Sequence, residues 1–233
     1  MNRMKKLAIY CGIVLVATPA FAGPNQSDSK RLAEAATVLS EMRAAPDSGI
    51  PEDLWSKAQC VLVIPSLKKA AFVVGGETGA GVMSCRRANG WSAPVFMHLA
   101  KGSIGLQIGA QSTDLVLLVM NREGADKLLR DKVSLGADIS VAAGPVGRSA
   151  NAATDAQLNA EMLAYSRSKG LFAGIDLSGG VLRPDAEADA RAYGPNVSAR
   201  DVVAGPRKVA VPVVANSFVR ALTRDVQRSG GQR

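Results

Sequence analysis

Seven glycines, Gly75, Gly76, Gly79, Gly81, Gly102, Gly105 and Gly109, fall within 35 residues of a stretch that otherwise reads as β-strand. Glycine weakens a strand unless the backbone must bend, bulge or approach another backbone closely. Their density predicts a strongly curved, tightly packed sheet that closes towards a barrel. It also lets a core form with only ten aromatic residues among 233, because small residues let backbones come together. Between Cys60 and Met120, apolar runs at 60–64, 71–74, 82–85, 95–98, 104–108 and 115–120 are separated by Gly, Pro, Asn or Ser. Ile104, Leu106 and Ile108 alternate with Gly105, Gln107 and Gly109, the period of a strand with one buried face. Residues 115–120 are apolar throughout and should lie inside the sheet.

Helical periodicity flanks this region. Leu32, Ala35, Ala36, Leu39 and Met42 recur at three- and four-residue steps and predict an amphipathic helix over 27–45. Pro51 opens a short second helix through Leu54, Trp55 and Ala58. Further helices are predicted at 123–131, at 155–165 behind a capping box beginning at Thr154, and at about 213–228. Strand signals recur at 137–141, 171–175 and 177–182. The acidic, Ala-rich stretch 184–191 reads as a surface helix or loop. The fold class is α+β, a curved, Gly-rich and largely antiparallel sheet with flanking helices in a single domain over 23–233.

The first 22 residues read as an export signal. Arg3, Lys5 and Lys6 precede an apolar run of eleven residues, and Ala20-Phe21-Ala22 suits cleavage before Gly23. An eleven-residue helix rises about 16 Å, too short for about 30 Å of hydrocarbon. Cleavage removes three positive charges and no negative ones, lowering the formal charge from +8 to +5. The expected location is the periplasm, peripheral to a membrane, which makes nucleic acid a poor partner. Cys60 and Cys85 remain as the mature chain's cysteines, each in a strand-like run. In an oxidising compartment they predict one disulfide. A metal site from Cys60, Cys85 and His98 lacks a fourth ligand, so no metal or other cofactor is expected.

Catalytic signatures are weak. Residues 76–81, Gly-Glu-Thr-Gly-Ala-Gly, lack the Lys and Ser/Thr of a phosphate loop, and a strand rather than a helix follows. They read as a glycine-rich hairpin. The Ser-x-x-Lys spacing occurs at Ser27/Lys30, Ser66/Lys69 and Ser166/Lys169, without the Lys-Thr-Gly that accompanies it in penicillin-binding enzymes. The lone His98 reads as a core or edge residue, and no catalytic residue is assigned. The basic pairs Lys68-Lys69 and Arg86-Arg87, with Arg167 and Lys169, stand beside Phe72, Trp91 and Phe172. They suit either phosphate headgroups beside acyl chains or a solvated surface.

Five strings, in order, resemble one family. They are Gly90-Trp91-Ser92-Ala93-Pro94, Gly105-Leu106-Gln107-Ile108-Gly109-Ala110-Gln111, Leu135-Gly136-Ala137-Asp138, Ala142-Ala143-Gly144-Pro145-Val146-Gly147-Arg148, and Tyr165-Ser166-Arg167-Ser168-Lys169-Gly170-Leu171-Phe172-Ala173-Gly174. The chain resembles the SYLF lipid-binding domain family, also labelled an actin-binding domain family after its yeast members. The resemblance runs from about Leu32 to Gly194 and points to the exported bacterial branch. It implies a non-enzymatic module that binds membrane lipid, phosphoinositides in eukaryotes, helped by an amphipathic N-terminal segment. Actin is not expected as a partner of an exported chain. Anionic lipid is, with eight basic residues expected to bind it: Lys68, Lys69, Arg86, Arg87, Arg167 and Lys169 as headgroup contacts, and Lys30 and Arg31 on the first helix. That helix, through Lys30, Arg31, Leu32 and Leu39, is expected to lie against the membrane. The alternative is a structural or stress-related envelope protein acting through an unknown protein partner.

Overall fold

The sheet grows outward from one long hairpin in the computed structural model, which describes residues 23–44, 50–71, 74–104, 109–146, 159–168, 171–205 and 209–223. Strand β1 (Cys60–Ala71) pairs antiparallel with β2 (Val74–Arg87) on one side and β5 (Gly109–Val119) on the other. Beyond β2 lie β4 (Val95–Ile104), β10 (Gly180–Pro184) and β6 (Val133–Ser134); beyond β5 lie β8 (Met162–Ser168) and β7 (Val141–Ala143). The order is β6-β10-β4-β2-β1-β5-β8-β7, with β3 (Gly90–Trp91) on β2 and β9 (Leu171–Gly174) on β8. Of these strand pairs only β7–β8 is parallel. All but Met120 of the 115–120 run lies in β5, inside the sheet as its composition requires.

The terminal strands of this order are consecutive in the chain, and that demands curvature. Eight strands laid flat would hold β6 and β7 about 34 Å apart, at about 4.8 Å per interval. The chain from Ser134 to Val141 can span at most about 25 Å. The sheet therefore curls into a half-barrel, as its glycines predicted.

The hairpin shows what two of those glycines do. Val63 pairs with Val82 and Lys68 with Thr78, so β1 carries one residue more than β2 between these points. The extra residue is a β-bulge at Pro65-Ser66, and proline inside a sheet is confined to such sites because it cannot donate to the ladder. Ser66 has φ 58°, the left-handed region, and its N–H donates to Asp114 Oδ1 at 3.0 Å. Across the bulge, a Cβ on Gly79 would meet Ile64 Cγ2 at 2.5 Å, and one on Gly81 would meet the Val63 carbonyl oxygen at 2.3 Å. Only glycine permits this approach.

Each face of the sheet is covered. Cys60, Leu62, Ile64, Met83, Met97, Leu115 and Leu117 face a core that includes Leu128 of α3 (Arg122–Leu128) and Val202 and Val203 of α5 (Ala199–Ala204). Val61, Val63, Val82, Phe96, Val116 and Leu118 face the other core. There α1 (Gln26–Ala44) contributes Leu32 and Leu39, α2 (Glu52–Lys57) contributes Trp55, and α6 (Asn216–Thr223) contributes Phe218 and Leu222. The fold class read from composition is the one observed.

Cys60 and Cys85 are directly opposed across β1 and β2 and form a disulfide, Cα atoms 3.9 Å apart. Arg86 N–H donates to the Gln59 carbonyl at 2.7 Å, making the neighbouring pair the hydrogen-bonded one. The cysteines thus occupy a non-hydrogen-bonded pair, where opposed side chains come closest. Replacing both by serine should lower the unfolding free energy by about 3 kcal/mol, read by urea denaturation, because a loop of about 25 residues is freed in the unfolded chain. Two free thiols in mass spectra of the unreduced protein would overturn the assignment.

Several local expectations are corrected. The predicted helix at 155–165 ends instead in β8, where Met162, Leu163, Ala164 and Tyr165 are buried between neighbouring strands. A short run buried on both faces carries no periodicity to distinguish strand from helix. Of the strand expected at 137–141, only Val141 is in a strand, opening β7; the residues before it form a turn. Asp138 donates its N–H to the Ser134 carbonyl at 2.9 Å and accepts the Ser134 N–H at 2.7 Å, and Gly136 has φ 89°. The acidic 184–191 stretch forms α4 (Ala186–Tyr193), with Ala188 and Asp189 buried. The C-terminal helix opens with a 3-10 turn at Val213–Ala215. The export signal, Phe72, Gly105, Leu106, Ile108, the 154–157 capping box, Lys169 and residues 224–228 lie outside the described residues.

Candidate functional site

The bulge residues form one wall of a cleft of about 490 Å³ where α1 crosses the sheet. Ser27, Lys30, Arg31 and Glu34 project from one face of α1, at three- and four-residue steps that align them. Ser66 and Lys68 come from β1, Thr78 from β2 and His98 from β4. Lys30 and Lys68 are both exposed at the surface. Lys30 Nζ is 3.7 Å from Glu34 Oε1, an exposed pair worth little in water. Among the described residues no carboxylate lies within ion-pair distance of Lys68.

Arg31 lines the same cleft but is already engaged. It donates to Asp185 Oδ2 at 3.1 Å, lies 3.9 Å from Asp28 Oδ1, and stands 5.3 Å over the Phe96 ring. Burial is the largest influence on the Asp185 carboxyl and raises its pKa. The bonds from Arg31 and the Ala188 N–H, with the charges of Arg31 and Arg191, outweigh it and hold the pKa below the ordinary value. Asp28 is fully buried and accepts from Arg191 at 2.9 and 3.2 Å. This cluster pins the N-terminal turn of α1 to α4.

The other basic candidates among the described residues are engaged elsewhere. Lys69 is 3.3 Å from Glu77, its register partner on β2. Arg86 donates to the carbonyls of Ala58 and Trp55 and stacks 4.5 Å over Trp91, with burial lowering its pKa. Arg87 donates to the carbonyls of Val202 and Gly205, which close α5. Arg167 joins β8 to α1 through Glu41 and to β5 through Asp114. Of the eight residues singled out from sequence, the cleft thus gathers Lys30, Arg31 and Lys68. Leu32 and Leu39, expected against a membrane, are fully buried in the core instead. Ser66 and Lys69 do not act as a pair, since Glu77 holds the lysine. Among the described residues, no cluster of His, Cys, Asp and Glu could hold a metal, and no helix is long and apolar enough to cross a membrane.

A family sequence model described as Ysc84, Las17-binding protein actin regulator, matches residues 100–225, more than half of the chain. The chain belongs to the Ysc84 family. This is the SYLF domain whose strings the sequence carries. Yeast (Saccharomyces cerevisiae) LAS seventeen-binding protein 3 is 34% identical over 204 residues, covering 84% of this chain and 44% of that protein. The yeast protein YSC84 is 36% identical over 181 residues, 76% of this chain and 38% of that one. The human SH3 domain-containing YSC84-like protein 1 is 30% identical over 184 residues, 77% and 54% respectively. The chain spans about half the length, or less, of these curated relatives.

The Ysc84 family match begins at residue 100, so every cleft-lining residue lies before it. Ser27, Glu34, Ser66, Thr78 and His98 line the cleft without standing among the residues expected to bind lipid. His98 reads from sequence as a core or edge residue, Ser27 and Ser66 as members of unsupported Ser-x-x-Lys spacings, and Thr78 as part of a glycine-rich hairpin. The available signal was Pro65 within an apolar strand run, which marks a bulge and hence a local opening in the ladder.

Proposed function

We propose that this Ysc84-family protein is a non-enzymatic, lipid-binding protein of the bacterial cell envelope, exported to the periplasm and peripheral to a membrane. The cleft receives the anionic headgroup of a phospholipid. The observation that carries this reading is the convergence of Lys30 and Lys68, both exposed, with Arg31 on one cleft of about 490 Å³ beside serine and threonine hydroxyls. Cations attract the phosphate, hydroxyls donate to its oxygens, and the volume falls within the range of small-ligand sites. Each lysine near an anionic surface contributes about 1 kcal/mol, so attachment is reversible and weakens with salt.

Vesicle flotation tests it. The protein should float with phosphatidylglycerol vesicles and remain behind with phosphatidylcholine. The double change Lys30→Glu and Lys68→Glu should weaken flotation by at least about tenfold, from the loss of two attractive charges. The same reversal at Lys57, on α2 and paired with Asp53, should leave it close to wild type. Equal binding to both vesicles, indifferent to salt, would sink the proposal. A second reading, action through a protein partner, draws on relatives named for binding Las17. It predicts no lipid preference and a polypeptide that co-purifies.

A further inference from the structure

His98 stands in the cleft with no assigned role. Its Nε2 is 3.4 Å from Thr78 Oγ1, and its ring opens onto the space lined by Lys30, Arg31 and Lys68. The charged groups around it come from four elements. Lys30, Arg31 and Glu34 belong to α1, Lys68 to β1, and Arg183 to β10, where it is the register partner of His98; Asp185 follows at the start of α4. We propose that His98 is an anion-binding group of this cleft, and that an anionic headgroup enters it together with a proton. The inference rests on the lipid reading and adds a fourth cation to the site.

Burial, then the positive charge of Arg183, hold the imidazole pKa below its ordinary value; Asp185 opposes them, and Arg31 adds to them. The ring is therefore neutral at pH 7, a group able to take a charge and surrounded by cations that discourage it. A phosphate oxygen in the cleft reverses that balance, because its negative charge favours the imidazolium and gives the second ring N–H an acceptor. By linkage, whatever factor the anion adds to proton affinity the proton adds to anion affinity. Binding should strengthen as pH falls from 8 to 5.5.

The chain contains one histidine, so its ring signal in NMR titrates without ambiguity. The titration is run on the purified protein alone, with dihexanoyl phosphatidylglycerol, with dihexanoyl phosphatidylcholine, and with sulfate. The expected result is a midpoint raised by about one pH unit in phosphatidylglycerol and unmoved in phosphatidylcholine, equivalent to about tenfold tighter binding to the protonated protein. His98→Gln should bind phosphatidylglycerol at pH 5.5 as weakly as at pH 8. His98→Lys, permanently charged, should bind tightly at both, a gain that a misfolded variant could not produce. Phosphatidylglycerol binding with an unmoved midpoint would overturn the proton linkage and leave the lipid reading standing. A midpoint moved by sulfate, with no preference for phosphatidylglycerol over phosphatidylcholine, would overturn the lipid reading and keep a proton-linked site for soluble anions.

Discussion

Gly81→Ala should lower the unfolding free energy by about 4 kcal/mol or more, at the upper end of overpacking costs. A Cβ at this position would lie 2.3 Å from the Val63 carbonyl oxygen and 2.6 Å from Ile64 Cγ1. The carbonyl cannot step aside, because β1 is held by β2 and β5 on its two edges. Relief would require the two strands to separate next to the bulge, losing ladder bonds and opening the packing of Ile64 and Leu67, both buried. For a chain of this size such a loss lowers Tm by about 8–16 °C. Gly102→Ala provides the comparison, since nothing lies within 4 Å of its added methyl and the residue is exposed. That change should leave Tm within a degree or two. Equal melting temperatures for Gly81→Ala and wild type would show that the hairpin does not require the close approach.

Asp189→Asn should stabilise the protein at pH 8 and leave it unchanged near pH 4. Asp189 is buried on α4, where Oδ1 accepts the Phe96 N–H at 2.9 Å and Oδ2 has no hydrogen-bond partner. Burial is the main cause that pushes its pKa up to about 7, with the nearby Asp185 and Asp28 charges adding to it; the Phe96 N–H and Arg31 oppose the rise. The folded pKa lies above the unfolded one. Below about pH 4 both states carry the proton and the carboxyl costs nothing. Between about pH 4 and 7 the unfolded chain releases its proton while the folded chain keeps it, so stability falls as pH rises. Above 7 the full cost remains, on the order of 3–4 kcal/mol. Asparagine keeps the acceptor for Phe96 and carries no charge, so the difference between variant and wild type should grow across that window and then level off. Urea denaturation at pH 4, 6 and 8 reads it directly. A constant difference at all three values would mean that Asp189 is not the titrating group.

The two predictions also mark where sequence reading succeeded and where it stopped. Glycine density announced a curved sheet, and Gly79 and Gly81 each serve a backbone approach of the kind that density implies. The alternation of Cys60, Leu62 and Ile64 with Val61 and Val63 was visible as an apolar run, but its division between two cores was not. The first four residues of β8 carry no period that separates strand from helix, because burial on both faces erases it. The candidate cleft was the least legible part. Lys30, Lys68 and His98 belong to α1, β1 and β4, and nothing along the chain says that one helix crosses these strands.

The sequence by itself determined composition-level properties: an α+β fold with a curved Gly-rich sheet, a cross-strand cysteine pair and the ordered strings of the Ysc84 family. These follow from local rules, strand period, glycine geometry and residue order, which need no partner to operate. Which arginines carry free charge was decided only by tertiary structure. Arg86, Arg87 and Arg167 look no different from Lys68 in one dimension, yet the fold spends them on carbonyls of Ala58, Trp55, Val202 and Gly205 and on the carboxylates of Glu41 and Asp114. Partners separated by 28 to 126 residues in sequence make those choices. The same fold leaves Lys30 and Lys68 exposed beside the cleft, and which basic side chain meets which fate is a property of the folded surface.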